Sequence, residues 1–363
     1  MIETPFNAPG GMTPVERVSR ALAYEDVDRI PFEAAHFFSD EFLRAWAQDK
    51  GVPKATKKDL DAWYGTDVAE VAADHSPWPT RAKTLESTSD YFVEVDGFGQ
   101  TRKFVRGMPF WQPIAFALTE KSQLDALPFD PPTLEARYEG LVREVAEVRD
   151  RMWTRIKVGG PYSRSKWMRG ELQFLMDLVE DPPFVRDLVG RVTDLVIAVG
   201  LESIRRAALP PTGIHIHDDM ASLRGMIFSP RIFEAFFFEP YARMCAAFHR
   251  AGVRVFYGGE GNVREVFGML LEAGIDGFLC MELRAGMDMV ALREQYGDDV
   301  IFFGNLCNTV TLPSGDRDRI RAEVARQMTA ARRGGCVVGP SHLIGGDVSV
   351  ESYEWMVEAI RET

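Results

Sequence analysis

The chain has 363 residues, 46% of them hydrophobic and 26% charged, with a formal net charge of −12. That is enough for a substantial core, in two domains or in one α/β barrel with insertions. It lacks the clustered Lys and Arg that track a nucleic-acid backbone, and no apolar run approaches the ~20 residues of a membrane span. Cys245, Cys280, Cys307 and Cys336 lie far apart with no C-x-x-C pair, and the N-terminus MIETPFNAPGGMTP has no basic–apolar signal pattern. The expectation is a reduced, cytoplasmic protein.

Apolar, β-branched runs are expected as strands at 29–35 (RIPFEAA), 66–72 (TDVAEVA), 153–159 (WTRIKVG), 213–217 (GIHIH), 253–257 (VRVFY), 275–280 (IDGFLC), 300–304 (VIFFG) and 336–340 (CVVGP). Amphipathic stretches lie between them. Ser229-Pro230 opens a helix running to about Gly252, and Ser314-Gly315-Asp316 opens another that ends near Gly334-Gly335. Eight strands alternating with helices predict an α/β fold, a parallel (β/α)8 TIM barrel. One segment breaks the alternation: 91–106 (YFVEVDGFGQTRKFVR) reads as a β-hairpin turning at Asp96-Gly97, followed by a Pro-rich connector. The predicted organisation is one domain over 1–363, with an insertion at about 90–132 after the second strand.

Of the six histidines, His249 sits inside a helix, whereas His36, His75, His215, His217 and His342 end or follow predicted strands. In a parallel barrel those ends share one mouth, where such enzymes do their chemistry. In GIHIHDDM, period-two alternation puts His215 and His217 on one face and Ile214 and Ile216 on the other. Asp218 and Asp219 then stand at the rim, able to accept protons, bind a metal, hold a substrate cation or simply end the strand by bonding backbone N–H groups. The loop YGGEGNV has three glycines that let backbone approach a ligand, an acid at Glu260, and Asn262 as a helix cap. The last strand leads to GPSHLIGGDVS, with His342 in the loop and Ser349 capping the final helix. Glu260 and the His217 strand end are the candidate partners for orienting His342. No G-x-S-x-G elbow occurs, so a Ser–His–Asp hydrolase does not fit.

Four segments together resemble the uroporphyrinogen decarboxylase superfamily: VERVSRALAYEDVDRIPF at its opening, DGFGQTRKF at its insertion, HIHDDM through SPRIFEAFFFEPYARMCAAFHRAGVRVFYGGEGNV at its centre, and GGCVVGPSHLI through DVSVESYEWMVEAI at its end. The resemblance implies a (β/α)8 barrel and one of two activities. These are decarboxylation of the acetate arms of uroporphyrinogen and methyl transfer linked to corrinoid proteins or thiols. Members that act on uroporphyrinogen carry an Arg-rich segment after the first strand; here that place reads EAAHFFSDEF, with no Arg until Arg44. The superfamily's zinc methyltransferases hold metal through H-x-C after the fifth strand and a Cys after the eighth, positions that match Gly258, Glu260 and His342 here.

The expectation that follows is a methyltransferase of the non-haem branch, moving a methyl group from a small methoxylated or N-methylated compound to a corrinoid on a partner protein. Glu260, His342, His217 and Asp218 are the expected catalytic residues, with His36, His75, Tyr162, Trp167 and Asp219 against the substrate. A divalent metal, zinc first, is expected on Glu260, His342 and His217 or Asp218. The alternatives are a decarboxylase of a small carboxylated substrate, using His342 as proton donor and Asp218 or Arg164 to hold it, and a non-catalytic ligand-binding barrel. The five strand-end histidines weigh against the last.

Overall fold

A computed structural model describes residues 11–106, 108, 111–209 and 212–362. In chain order its strands are β1 (Val68–Ala72), β2 (Lys83–Ser87), β3 (Tyr91–Val95), β4 (Thr101–Val105), β5 (Trp111–Ala115), β6 (Trp153–Gly159), β7 (Thr212–His217), β8 (Ala221–Ser222), β9 (Gly225–Met226), β10 (Arg254–Gly258), β11 (Gly277–Leu279), β12 (Ile301–Phe303) and β13 (Cys336–Val337). A seven-stranded parallel sheet runs in the order β1-β6-β7-β10-β11-β12-β13.

The first expected strand, 29–35, does not form a ladder of its own. It touches the residue just after β13 through a single parallel bridge, Phe32 to Val338, while the Asp67 N–H donates to Phe32 O on the other side. The segment therefore joins the two edges of a curled sheet. Its backbone is recruited by side chains instead of by a second ladder: Asp67 accepts from the Phe32 N–H and Thr66 from the Ala34 N–H.

The excursion is larger than a hairpin. β2-β3-β4-β5 form a four-stranded antiparallel sheet, in which β3 and β4 pair around the turn at Asp96. Lys83–Ser87 is exposed throughout and Trp111–Ala115 contains Pro113, so neither outer strand carries the half-buried alternation that marks a strand in sequence.

The interior is packed, not hollow. Trp153, Phe256 and Phe303 meet inside the sheet with ring centroids 5.1–6.3 Å apart. Val18 and Leu22, from the helix Pro14–Leu22, join the same buried cluster. Ile214 and Ile216 on the opposite face of β7 are buried in the larger outer core. Ser229 caps the helix Pro230–Phe236 and Ser349 caps Val350–Arg361, each accepting a backbone N–H three residues on. Among the described residues no helix is long and apolar enough to cross a membrane.

Candidate active site

Alternation along β6 puts Trp153, Arg155, Lys157 and Gly159 on one face, toward the inside of the curl. Trp153 belongs to the apolar floor, and one step further Arg155 meets a ring of polar groups. Its guanidinium donates from Nη1 and Nη2 to Glu33 (2.8 and 2.6 Å) and from Nε to Glu70 (2.7 Å). Glu70 in turn lies 2.8 Å from His215 Nδ1. Burial holds the His215 pKa down to about 3, so the ring is neutral and carries its proton on Nδ1 toward Glu70. Its Nε2 faces Gly258, where a Cβ would fall 2.1 Å from that nitrogen.

The next layer is the mouth. Register places Gly159, His217 and Gly258 level with one another. His217 Nε2 stands 3.4 Å from Asp219 Oδ2, Asp219 Oδ1 accepts the backbone N–H of Glu260, and Glu260 Oε1 stands 3.0 Å from His342 Nε2. Burial alone would raise the Asp219 pKa, but His217 and the Glu260 N–H hold it well below the ordinary value. Burial lowers the His342 pKa, outweighing Glu260, which raises it. His342 is therefore a neutral imidazole at neutral pH, against a carboxylate 60% exposed to solvent. The glycines of the Glu260 loop are there for close approach: a Cβ on Gly259 would meet Asp218 O at 2.3 Å, and Gly261 has φ +89°.

His36 completes the wall, its ring centroid 6.5 Å from that of His342. Its Nδ1 accepts from Arg155 Nη2 at 3.4 Å, which leaves the Nε2 proton pointing to Cys280 Sγ, also at 3.4 Å. Burial holds His36 down to about 4 and pushes the Cys280 thiol up to about 12, so this pair is an imidazole and a thiol, not an ion pair. Burial and the Arg164 charge likewise keep His75 neutral; its ring stands edge-on to Phe98. The five strand-end histidines thus lie at one end of the sheet. His249 is elsewhere, 2.8 Å from Asp276.

Two expected site residues have other work. Asp218 is fully buried; its carboxylate accepts the N–H groups of Tyr162 and Ser163 and the hydroxyl of Tyr241. It holds the start of the helix Pro161–Arg169 to β7. Tyr162 is fully buried too, packed on Phe174, Phe228 and Phe237, so it is core beneath the site and not a substrate wall. Trp167 packs against two neighbours: the Arg164 guanidinium lies 4.1 Å over its ring and Phe98 meets its edge.

Arg155, Lys157, Glu70, Glu33 and Cys280 are site-lining residues beyond those expected from sequence. The signal was present in WTRIKVG, where two cations alternate with Ile156 and Val158 inside a buried strand.

The expected zinc set can be tested on its donors. Glu260 and His342 face each other, His217 faces Asp219, and among the described residues no three His, Cys, Asp or Glu side chains are grouped as a ligand set. Cys280, the one cysteine that touches a mouth residue among the described contacts, is a protonated thiol bonded to His36. The residues as arranged do not fit a three-ligand zinc site. They do fit a proton relay, a carboxylate beside a neutral imidazole that can take up one proton and pass it on.

The model of the uroporphyrinogen decarboxylase (URO-D) family matches residues 83–363. Among curated proteins, no sequence matches the chain. Among solved structures, a methyltransferase from Methanosarcina mazei is similar over 97% of this chain and 99% of its own, at 15% identity and a TM-score of 0.71. A putative vitamin-B12-independent methionine synthase from Listeria monocytogenes is similar over 92% of this chain and 97% of its own, at 12% identity and a TM-score of 0.46. The first of these shows a shared fold; the second is too distant in shape to bear on the site.

Proposed function

Because the chain belongs to the uroporphyrinogen decarboxylase family, we propose that it is a methyltransferase, taking a methyl group from a small methoxylated or N-methylated compound and delivering it to a corrinoid carried by a separate protein. Members of the family are enzymes, either decarboxylases or methyltransferases. The likeness in fold to the Methanosarcina methyltransferase supports the second activity here. Residues 31–34 are read as the eighth stave of a (β/α)8 barrel, with the five histidines around its mouth.

The observation that supports the reading most is the Glu260–His342 pair, 3.0 Å apart at the mouth. An alkoxide or amide anion is a poor leaving group, and a proton delivered as the carbon–oxygen or carbon–nitrogen bond breaks makes it a good one. The reduced corrinoid supplies the nucleophile for the methyl carbon. This chain relays the proton: the His342–Glu260 pair takes up one proton from water, held on His342 against the carboxylate, and the leaving oxygen or nitrogen, which keeps the bonding pair, takes that proton and departs as the alcohol or amine. The neutral imidazole and the carboxylate are thereby restored for the next turnover. Asp219 steadies this arrangement through the Glu260 N–H and His217.

Uroporphyrinogen itself is an unsuitable substrate, because residues 33–42 contain three acids and no arginine where its carboxylates would need cations. Decarboxylation of a smaller acid is the second reading. It is favoured by Lys157 and Arg164 on the β6 side of the mouth, and His342 would again be the proton donor. The test is to mix the protein with a reduced corrinoid protein and a panel of methoxylated and N-methylated compounds, following the corrinoid absorbance. Methylation that requires both this chain and a methylated donor supports the proposal. Carbon dioxide release without corrinoid would replace it with the second reading.

A further inference from the structure

The cations on β6 are not balanced in the way that the carboxylates around them are. Arg155 is fully paired. Lys157, two residues on and on the same face, has among the described residues one carboxylate within 4 Å, Glu70 at 3.7 Å, which is too long for a hydrogen bond. Two residues further, Gly159 has no side chain, and its place is taken by Arg164: a Cβ there would fall 1.7 Å from Arg164 Nε and 2.6 Å from Cζ. The guanidinium of Arg164 therefore stands directly beyond Lys157 in the column, about 7 Å further along the strand.

Arg164 is only 3% exposed, and among the described residues its Nε and Nη1 have no hydrogen-bond partner. The nearby carboxylates are already engaged. Asp218 accepts from Tyr162, Ser163 and Tyr241, Asp219 faces His217 and the Glu260 N–H, and Asp96 accepts from Phe98 and Gln100. A buried guanidinium without a hydrogen-bonded anion is costly, so a fold that keeps one has a use for it. Its plane is fixed by the face of Trp167, 4.1 Å from Cζ, which presents the fork of N–H groups in one orientation. The histidines nearby do not add competing charge, since burial keeps His36, His75 and His342 below their ordinary pKa.

We propose that Arg164, stacked on Trp167, and Lys157 form a carboxylate-binding subsite, so that the small substrate of this enzyme is a monoanionic acid held by its carboxylate on the β6 side of the mouth. The other end of such a molecule is then directed across the mouth toward His342 and Glu260. The subsite deepens the reading of the mouth as a small-molecule site and names the class of molecule. It rests on that reading but not on the fate of the methyl group.

Binding of acetate and benzoate, each compared with its neutral amide, tests it by calorimetry on the full chain with no corrinoid or methyl donor present. Failure of methyl transfer thus leaves this result standing, and the reverse. In the wild type, at least one carboxylate should bind tenfold or more tightly than its amide. Arg164→Gln should reduce that ratio to below threefold, Arg164→Lys should recover part of it, and Lys157→Gln should lower it at least threefold. Should Arg164→Gln fail to give a wild-type circular dichroism spectrum, Lys157→Gln and Arg164→Lys carry the comparison. Equal binding of acid and amide by the wild type, or an undiminished ratio in the folded variants, overturns the subsite.

Discussion

Arg155 closes on Glu33 at two points, Nη1 to Oε2 at 2.8 Å and Nη2 to Oε1 at 2.6 Å. The same guanidinium reaches Glu70, which fixes the His215 proton on Nδ1, and His36, whose Nδ1 it obliges to accept. One cation inside the sheet thereby sets the tautomers of His215 and His36. Arg155→Met would leave two carboxylates under the mouth without their cation. The expected loss is about 3–5 kcal/mol of stability, read from urea unfolding at neutral pH. A loss below about 1 kcal/mol would show that water, not Arg155, solvates Glu33 and Glu70.

Asp218 is expected to behave as a structural residue. Asp218→Ala would strand two backbone N–H groups and the Tyr241 hydroxyl, each at about 1–3 kcal/mol, for a total of at least about 3 kcal/mol. The measurement is again the unfolding midpoint. A variant with wild-type stability and no activity would return Asp218 to the chemistry.

How much of this was readable in advance follows from what each segment is packed against. β6 and β7 are buried on both faces, so their apolar alternation marked them, and the same parity put His215 and His217 inside. The strand expected at 29–35 lies between two sheet edges and is held by Asp67 and Thr66, contacts that no local pattern records. Asp218 and Asp219 are adjacent and alike in sequence; which one turns inward depends on the helix start at Tyr162 and Ser163, which is a tertiary fact. Glu260 and His342 were legible as strand-end residues of unusual type. Arg155 and Lys157 were not singled out, because a charge in a strand makes sense only once Glu33 and Glu70 are seen to converge on it.

Stability should fall with acidity before carboxylates titrate. His36 has a folded pKa of about 4 and His215 of about 3, against about 6.5 in an unfolded chain. Between pH 6.5 and 4 the unfolded chain holds protons on both rings that the folded chain does not, so unfolding takes up protons and is favoured as pH falls. Each histidine contributes a slope of up to about 1.4 kcal/mol per pH unit in that window. Urea midpoints measured from pH 7.5 to 4.5 should show the decline, and His36→Gln should flatten it by about one proton. An unchanged slope in that variant would mean that His36 is protonated in the folded protein.

Treatment with a chelator followed by gel filtration should leave the melting temperature and the rate of corrinoid methylation unchanged, because Glu260, His342 and His217 do not converge as ligands. Activity lost in chelator and restored by zinc alone would show that those side chains rearrange around a metal.

The central claim is that Glu260 and His342 act together on the leaving group. It is tested most directly by the single-turnover rate of corrinoid methylation in wild type, Glu260→Gln, His342→Ala and the double variant, with an accepted methyl donor at saturation. Each single variant is expected to slow the chemical step by roughly 10² or more, about 2.7 kcal/mol of transition-state stabilisation. The double variant should be little slower than either, since the two groups serve one proton. Wild-type rates in both single variants would contradict the account and move the chemistry to the His36 and His75 side of the mouth.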